Sequence, residues 1–293
     1  MRHVLPSLAI AAAVTASTLG ATAAPAAPPN STPVYYLAAG DSYPAGWGVT
    51  QTQSYPALLD AATYANIELD NNARAGADTF ELVFGHSGLP SQLSGDNSVV
   101  TITVGANDID WVKVISGDPT ATGLLRSRMG ALAGMNGATA PDGYPVLPIA
   151  GVLQQVAAVN PDATILVTGY PHLFGALDPT DLCDVGGRVV SGVQTDQANE
   201  LTDQLNAIIE ASVAAVSVGP GAIKAEYVDV VPTFADHGIC DTQTAWLYDF
   251  DDLSMVQTPN GAFHPNARGQ KAYALEVQKD GFRSAALAIA QTK

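Results

Sequence analysis

Ser42, Gly76, Asn107 and His264 are residue types that a serine-based acyl transfer needs. A serine hydroxyl is a poor nucleophile until a base takes its proton. Histidine suits that task because its unperturbed pKa lies near neutrality. His264 stands in Phe263-His264-Pro265-Asn266, just before the last helical stretch, where a loop can aim an imidazole. Attack on an acyl carbon creates an oxyanion that needs fixed donors. The backbone N–H of Ser42, the backbone N–H of Gly76 and the side-chain amide of Asn107 can supply three. Gly40-Asp41-Ser42 alone is an ordinary turn sequence, since all three residue types form turns. Its weight comes from the other three positions.

These residues meet only if a sheet lies beneath them. The apolar run Val34–Ala39 reads as a buried strand ending at the serine turn. Ser54 is a plausible N-cap for a helix through about Tyr64, with Pro56 tolerated in its first turn. Ile67–Asp70 reads as a second strand and Thr79–Phe84 as a short helix. Val99–Val104 is apolar and β-branched enough to be buried on both faces. Residues 117–148 are the least regular, with a helical piece near Leu124–Met129. Pro148 opens a helix to about Val159, and Thr164–Thr168 is a fourth strand. Leu201, Leu205, Ile208, Ile209, Val213 and Val216 mark one face of a long helix. Ala225–Val230 is a fifth strand, and helical sequence from Ala267 is interrupted near Gly281. Strands alternating with helices predict a mostly parallel five-stranded sheet in a three-layer α/β/α sandwich. Ligands of such sheets bind beyond the carboxyl ends of the strands. Ser42, Gly76 and Asn107 each follow a strand, so they converge there.

Composition narrows the setting. Met1–Ala23 has a positive start, an Ala-rich apolar stretch and a small-residue site, the pattern of a signal peptide cleaved after Ala23. The apolar part is too short and too Ala-rich to favour a spanning helix, so a retained anchor is the weaker alternative. Residues 24–32 read as a disordered Pro/Ala tether, and 33–293 as one domain. The net charge of −16 repels nucleic acid phosphates and anionic lipid heads. Cys183 and Cys240 form an even pair, which in an exported protein reads first as a disulfide and otherwise as two buried thiols. Their spacing matches no zinc pattern and the five histidines are scattered, so no metal is expected.

The four positions sit in ordered blocks: Gly40-Asp41-Ser42-Tyr43, Asn72-Ala73-Arg74-Ala75-Gly76-Ala77, Gly105-Ala106-Asn107-Asp108 and His264-Pro265-Asn266. This order resembles the SGNH hydrolases, also called the GDSL esterase/lipase family. Tyr170-Pro171-His172-Leu173-Phe174 and His237-Gly238-Ile239-Cys240-Asp241 resemble segments of its secreted actinobacterial branch. The resemblance implies an SGNH/flavodoxin-like fold, Ser42 as nucleophile, His264 as general base, and Gly76 and Asn107 as oxyanion donors. It implies no cofactor. The family usually has Asp three residues before the histidine, where this chain has Gly261. The Gly261 carbonyl is therefore expected to orient His264. A distant carboxylate (Asp249, Asp251 or Asp252) is the alternative.

The expected function is a secreted serine esterase or lipase, acting as a monomer on ester or lipid substrates without inserting into a membrane. Phospholipase, carbohydrate acetylesterase or acyltransferase chemistry fits the same residues, and a non-catalytic binding protein is the remaining alternative. Ser42 lacks the second glycine of a G-x-S-x-G elbow, which argues against the α/β-hydrolase fold. Asp108 and Asp110 read as loop-ordering groups, and His86, His172 and His237 as structural or surface residues. Trp47 and Trp111 suit either an acyl site or the core. Residues 117–148 and the loop 43–49 are expected to select the substrate.

Overall fold

Five short β-rich runs form one parallel sheet in the order β2-β1-β3-β4-β7. The computed structural model describes residues 31–85, 88–89, 93, 98–115, 118–134, 143–249 and 261–292. The predicted signal peptide, residues 24–30 of the predicted tether, His86, Gly117, Asp251 and Asp252 lie outside them. The strands are β1 (Val34–Gly40), β2 (Ile67–Asn71), β3 (Val99–Thr103), β4 (Thr164–Thr168) and β7 (Ala225–Val228). β3 is buried along its whole length, as its apolar, β-branched sequence requires of a central strand. β2 alternates exposed and half-buried residues, as an edge strand does.

Helices cover both faces. On one lie α1 (Tyr55–Asp60), α7 (Ala267–Val277) and α8 (Arg283–Ala290), with α1 packed on α7 and α8 reaching β1. On the other lie α2 (Thr79–Phe84), α3 (Trp111–Ile115), α4 (Pro119–Leu132), α5 (Ile149–Val159) and α6 (Gly192–Val216). The predicted α/β/α sandwich is the observed fold. β1 has β2 on one side and β3 on the other, so the strand order reverses at β1. That switch point leaves a crevice beyond the carboxyl ends of β1 and β3, where open α/β sheets bind ligands. Gly40 pairs with Thr103, which brings the turns after both strands level.

Several expected boundaries change. The first helix ends at Asp60 rather than Tyr64, because the Ala61 N–H closes it on Ala57 and Leu59. The fifth strand stops at Val228, two residues early, and Val231 N–H then binds the Asp229 side chain. The helical piece near Leu124–Met129 belongs to the fourteen-residue α4, capped by Asp118 with Pro119 at its start. α6 begins at Gly192, well before its apolar stripe. The break near Gly281 is present, with Gly281 at φ 131°.

A two-stranded hairpin, β5 (Leu182–Val185) and β6 (Arg188–Ser191), was not expected from the sequence. The disulfide was: Cys183 and Cys240 are bonded, with Cα atoms 5.8 Å apart. It closes a loop spanning 57 positions, a constraint on the unfolded chain of about 4 kcal/mol. It holds the hairpin against the loop that follows Ile239, itself bridged to Phe174. No helix among the described residues is long and apolar enough to cross a membrane.

Candidate active site

The turn after β1 is tight because two chain segments touch there. A Cβ on Gly40 would collide with the Thr103 carbonyl, and its φ of 126° also favours glycine. The Asp41 N–H binds that same carbonyl at 2.9 Å, fixing the turn against β3. Ser42 follows, half-buried. His264 comes to it from the other end of the chain, on the loop before α7. Its Nε2 lies 2.7 Å from Ser42 Oγ. Asn266 caps α7 through Arg268 and Gly269 N–H groups and donates its amide to the Ala245 carbonyl, so the histidine loop is fixed at its far side.

The partner of His264 Nδ1 corrects an expectation. That atom lies 2.9 Å from the carbonyl of Ala262, not Gly261. The Gly261 carbonyl accepts the backbone N–H of His264 at 3.1 Å, so it closes the turn that presents the ring. Phe263 adopts φ 66° within that turn, and its carbonyl accepts the Tyr43 hydroxyl at 3.0 Å. The serine turn therefore clamps the histidine loop. Burial pushes the His264 pKa below the ordinary imidazole value, opposed by the Ala262 carbonyl and then by Gly261. A ring of lowered pKa is neutral at neutral pH and can accept a proton.

Gly76 and Asn107 stand on the other side. Gly76 is exposed at φ 84°, with nothing within 4 Å of where a Cβ would be. Asn107 Nδ2 donates to the Ala77 carbonyl at 2.8 Å, so the amide is held beside the Gly76 segment. Asp108 anchors the same region. It is fully buried and accepts the Thr79 N–H at 3.0 Å and the Thr79 hydroxyl. The Leu147 N–H in turn donates to Thr79 Oγ1 at 2.8 Å, which adds the segment before α5. Burial raises the Asp108 pKa to about 8, while its hydrogen bonds from Thr79 lower it. Asp110 pairs with Lys113 at 2.7 Å. Both aspartates order the loop, as their sequence suggested.

A small apolar cavity of about 20 Å³, room for about one water, is walled by Tyr43, Ala106, Ile109, Trp111, Tyr170 and Leu173. Its walls adjoin Ser42 and Asn107 in sequence. Leu201 and Leu205 of α6 complete it. Of the segments expected to select the substrate, the loop 43–49 contributes Tyr43 to this cavity, and the segment after β4 and the helix α6 supply further walls. The signal available was Tyr170-Pro171 leaving a buried strand at the same sheet edge. A larger hollow near Asp196, Glu200, Asp203, Asp236 and Asp241 does not include the Ser42–His264 pair. His172 contacts Asp203 at 2.6 Å and His237 stacks on Trp246 at 3.6 Å, so neither joins the site. Among the described residues no group of three or more His, Cys, Asp or Glu could hold a metal ion.

Solved structures with this fold include phospholipase A1 from Streptomyces albidoflavus NA297, at 24% identity and TM-score 0.65 over 85% of this chain and 99% of that one. The extracellular lipase of Streptomyces rimosus matches at 23% identity and TM-score 0.61, over 84% and 99%. A family 3 carbohydrate esterase from Clostridium thermocellum matches at 16% identity and TM-score 0.51, over 88% and 100%. No curated protein matches the sequence. The sequence model of one family matches residues 38–272, a span that runs from the strand before Ser42 into α7. The chain belongs to the GDSL-like Lipase/Acylhydrolase family and is a carboxylic ester hydrolase.

Proposed function

We propose that the protein is a secreted serine esterase or lipase that cleaves carboxylic esters through an acyl-enzyme on Ser42. The observation that carries this reading is the 2.7 Å contact between Ser42 Oγ and His264 Nε2. His264 takes the serine proton as the oxygen attacks the acyl carbon, then gives it to the leaving alcohol. The N–H groups of Ser42 and Gly76 and the Asn107 amide stabilise the oxyanion. An amide nitrogen carries two hydrogens, so donation to Ala77 leaves one for the substrate. Water then attacks the acyl-enzyme, with His264 again as base. The Ala262 carbonyl holds the ring and favours the imidazolium that forms.

The disulfide supports export, since such bonds persist in oxidising compartments.

The test is hydrolysis of a p-nitrophenyl ester series from acetate to octanoate. The parent should hydrolyse esters of the series, and Ser42→Ala should lower kcat on the order of 10⁴- to 10⁶-fold. A folded Ser42→Ala enzyme within tenfold of the parent would rule out the serine mechanism.

A further inference from the structure

We propose that Tyr170 is a positioning residue for this reaction: its hydroxyl couples the nucleophile turn to the oxyanion loop. The inference rests on the roles proposed for Ser42, Asn107 and His264.

Tyr170 stands two residues beyond β4, at the sheet edge that carries the site. Its hydroxyl donates to Asp41 Oδ2 at 2.5 Å and accepts the Ala106 N–H at 3.3 Å. The other Asp41 oxygen accepts the Tyr43 N–H at 2.9 Å. Asp41 precedes Ser42, and Ala106 precedes Asn107. One hydroxyl therefore joins the residue before the nucleophile to the residue before the oxyanion amide.

The ring cannot drift to follow one partner. Asn206 of α6 accepts the Tyr170 N–H at 2.8 Å and donates to the Tyr170 carbonyl at 2.8 Å. The Tyr273 hydroxyl holds the preceding carbonyl, that of Gly169. The ring meets Tyr43 edge to face, with centroids 5.2 Å apart. It also lines the small apolar cavity that Tyr43 and Ala106, one from each loop, share with it. Asp41 is almost fully buried, and a buried carboxyl needs its donors. Burial raises its pKa to about 7, while the Tyr170 and Tyr43 hydrogen bonds lower it. Removing the hydroxyl leaves one carboxyl oxygen without that donor and frees both loops to shift. Misplacement by about 1 Å can cost about 10²-fold in rate.

The experiment compares Tyr170→Phe with the parent on the p-nitrophenyl ester series, with active sites titrated by a phosphonate ester. The expected result is a kcat lowered about 10- to 100-fold at every chain length, with KM within about threefold. Asp41→Asn, at the other end of the same bond, should lose kcat in the same way. The double variant should be no worse than the poorer single variant. Tyr36→Phe, which loses a buried hydroxyl contact to Thr101 in mid-sheet, should lose stability but keep kcat. A kcat for Tyr170→Phe within twofold of the parent, a change in KM alone, or a loss that Tyr36→Phe reproduces would overturn the proposal. If Tyr170→Phe does not fold, Asp41→Asn decides by the same criteria. Full activity in Tyr170→Phe beside a dead Ser42→Ala removes only the role of Tyr170; an active Ser42→Ala removes the reading beneath it.

Discussion

Around Ser42 and Asn107, the proposed oxyanion side, buried carboxyls fasten loop to loop; around His264, the proposed base, the group at Nδ1 is a peptide carbonyl. Asp108 binds the start of α2 to the loop after β3, and Asp41 binds the serine turn through Tyr43 and Tyr170. Burial raises both pKa values, to about 8 and about 7, while the hydrogen bonds each carboxyl accepts lower them. Both serve as hydrogen-bond hubs. The histidine meets a dipole, which orients it but favours the imidazolium less than a full negative charge would. The two sides teach that this chain uses its acids to place donors and leaves the base to backbone geometry.

The sharpest way to break the oxyanion side is Asn107→Ala. It should lower kcat about 10²- to 10³-fold with little change in KM. Steady-state kinetics on one ester decide this, and unchanged kcat would remove Asn107 from the chemistry.

Asp108→Ala probes the anchor rather than the donor. It should cost about 1–3 kcal/mol of stability by leaving Thr79 without its acceptor, read as a shift in urea midpoint. Its pH dependence has a defined sign. The unfolded carboxyl releases its proton near pH 4, whereas the buried one holds it to about 8. Stability from this group is therefore full below about pH 4, falls as pH rises toward 8, and is then flat. The decline should be shallower in Asp108→Ala, and an unchanged slope would contradict the assignment.

The base side should give the smallest effects when its distant acids are changed. Replacing Asp249, Asp251 and Asp252 together by Asn should leave kcat within about threefold, whereas loss of a triad carboxylate costs about 10⁴-fold. The acid limb of kcat/KM should lie below about pH 6.5, since burial lowers the His264 pKa.

How much of this was legible in sequence differs between the same two regions. β1, β3 and β4 are apolar enough to declare themselves, and the serine turn, the asparagine loop and the histidine loop are short segments beside them. The pairing of Ser42 with His264 was therefore legible from the residue types and the resemblance that the ordered blocks carry. The carbonyl at Nδ1 did not, because Ala262 and Gly261 differ by one residue and only the Phe263 turn decides between them. Tyr170 was quoted within a motif, but its bond to Asp41 joins residues 129 positions apart and leaves no local pattern. The β5–β6 hairpin was missed because its exposed Leu182 and Val189 break the alternation that marks a half-buried strand. α4 was seen only in part because Gly, Thr and Pro dilute its helical signal.

The most direct measurement is mass spectrometry of the enzyme after reaction with an alkyl phosphonate ester. One adduct per chain, on the peptide containing Ser42 and formed in step with loss of activity, is the expected result. Complete inactivation with the adduct on another residue, or full activity in a chain labelled at Ser42, would contradict the serine mechanism.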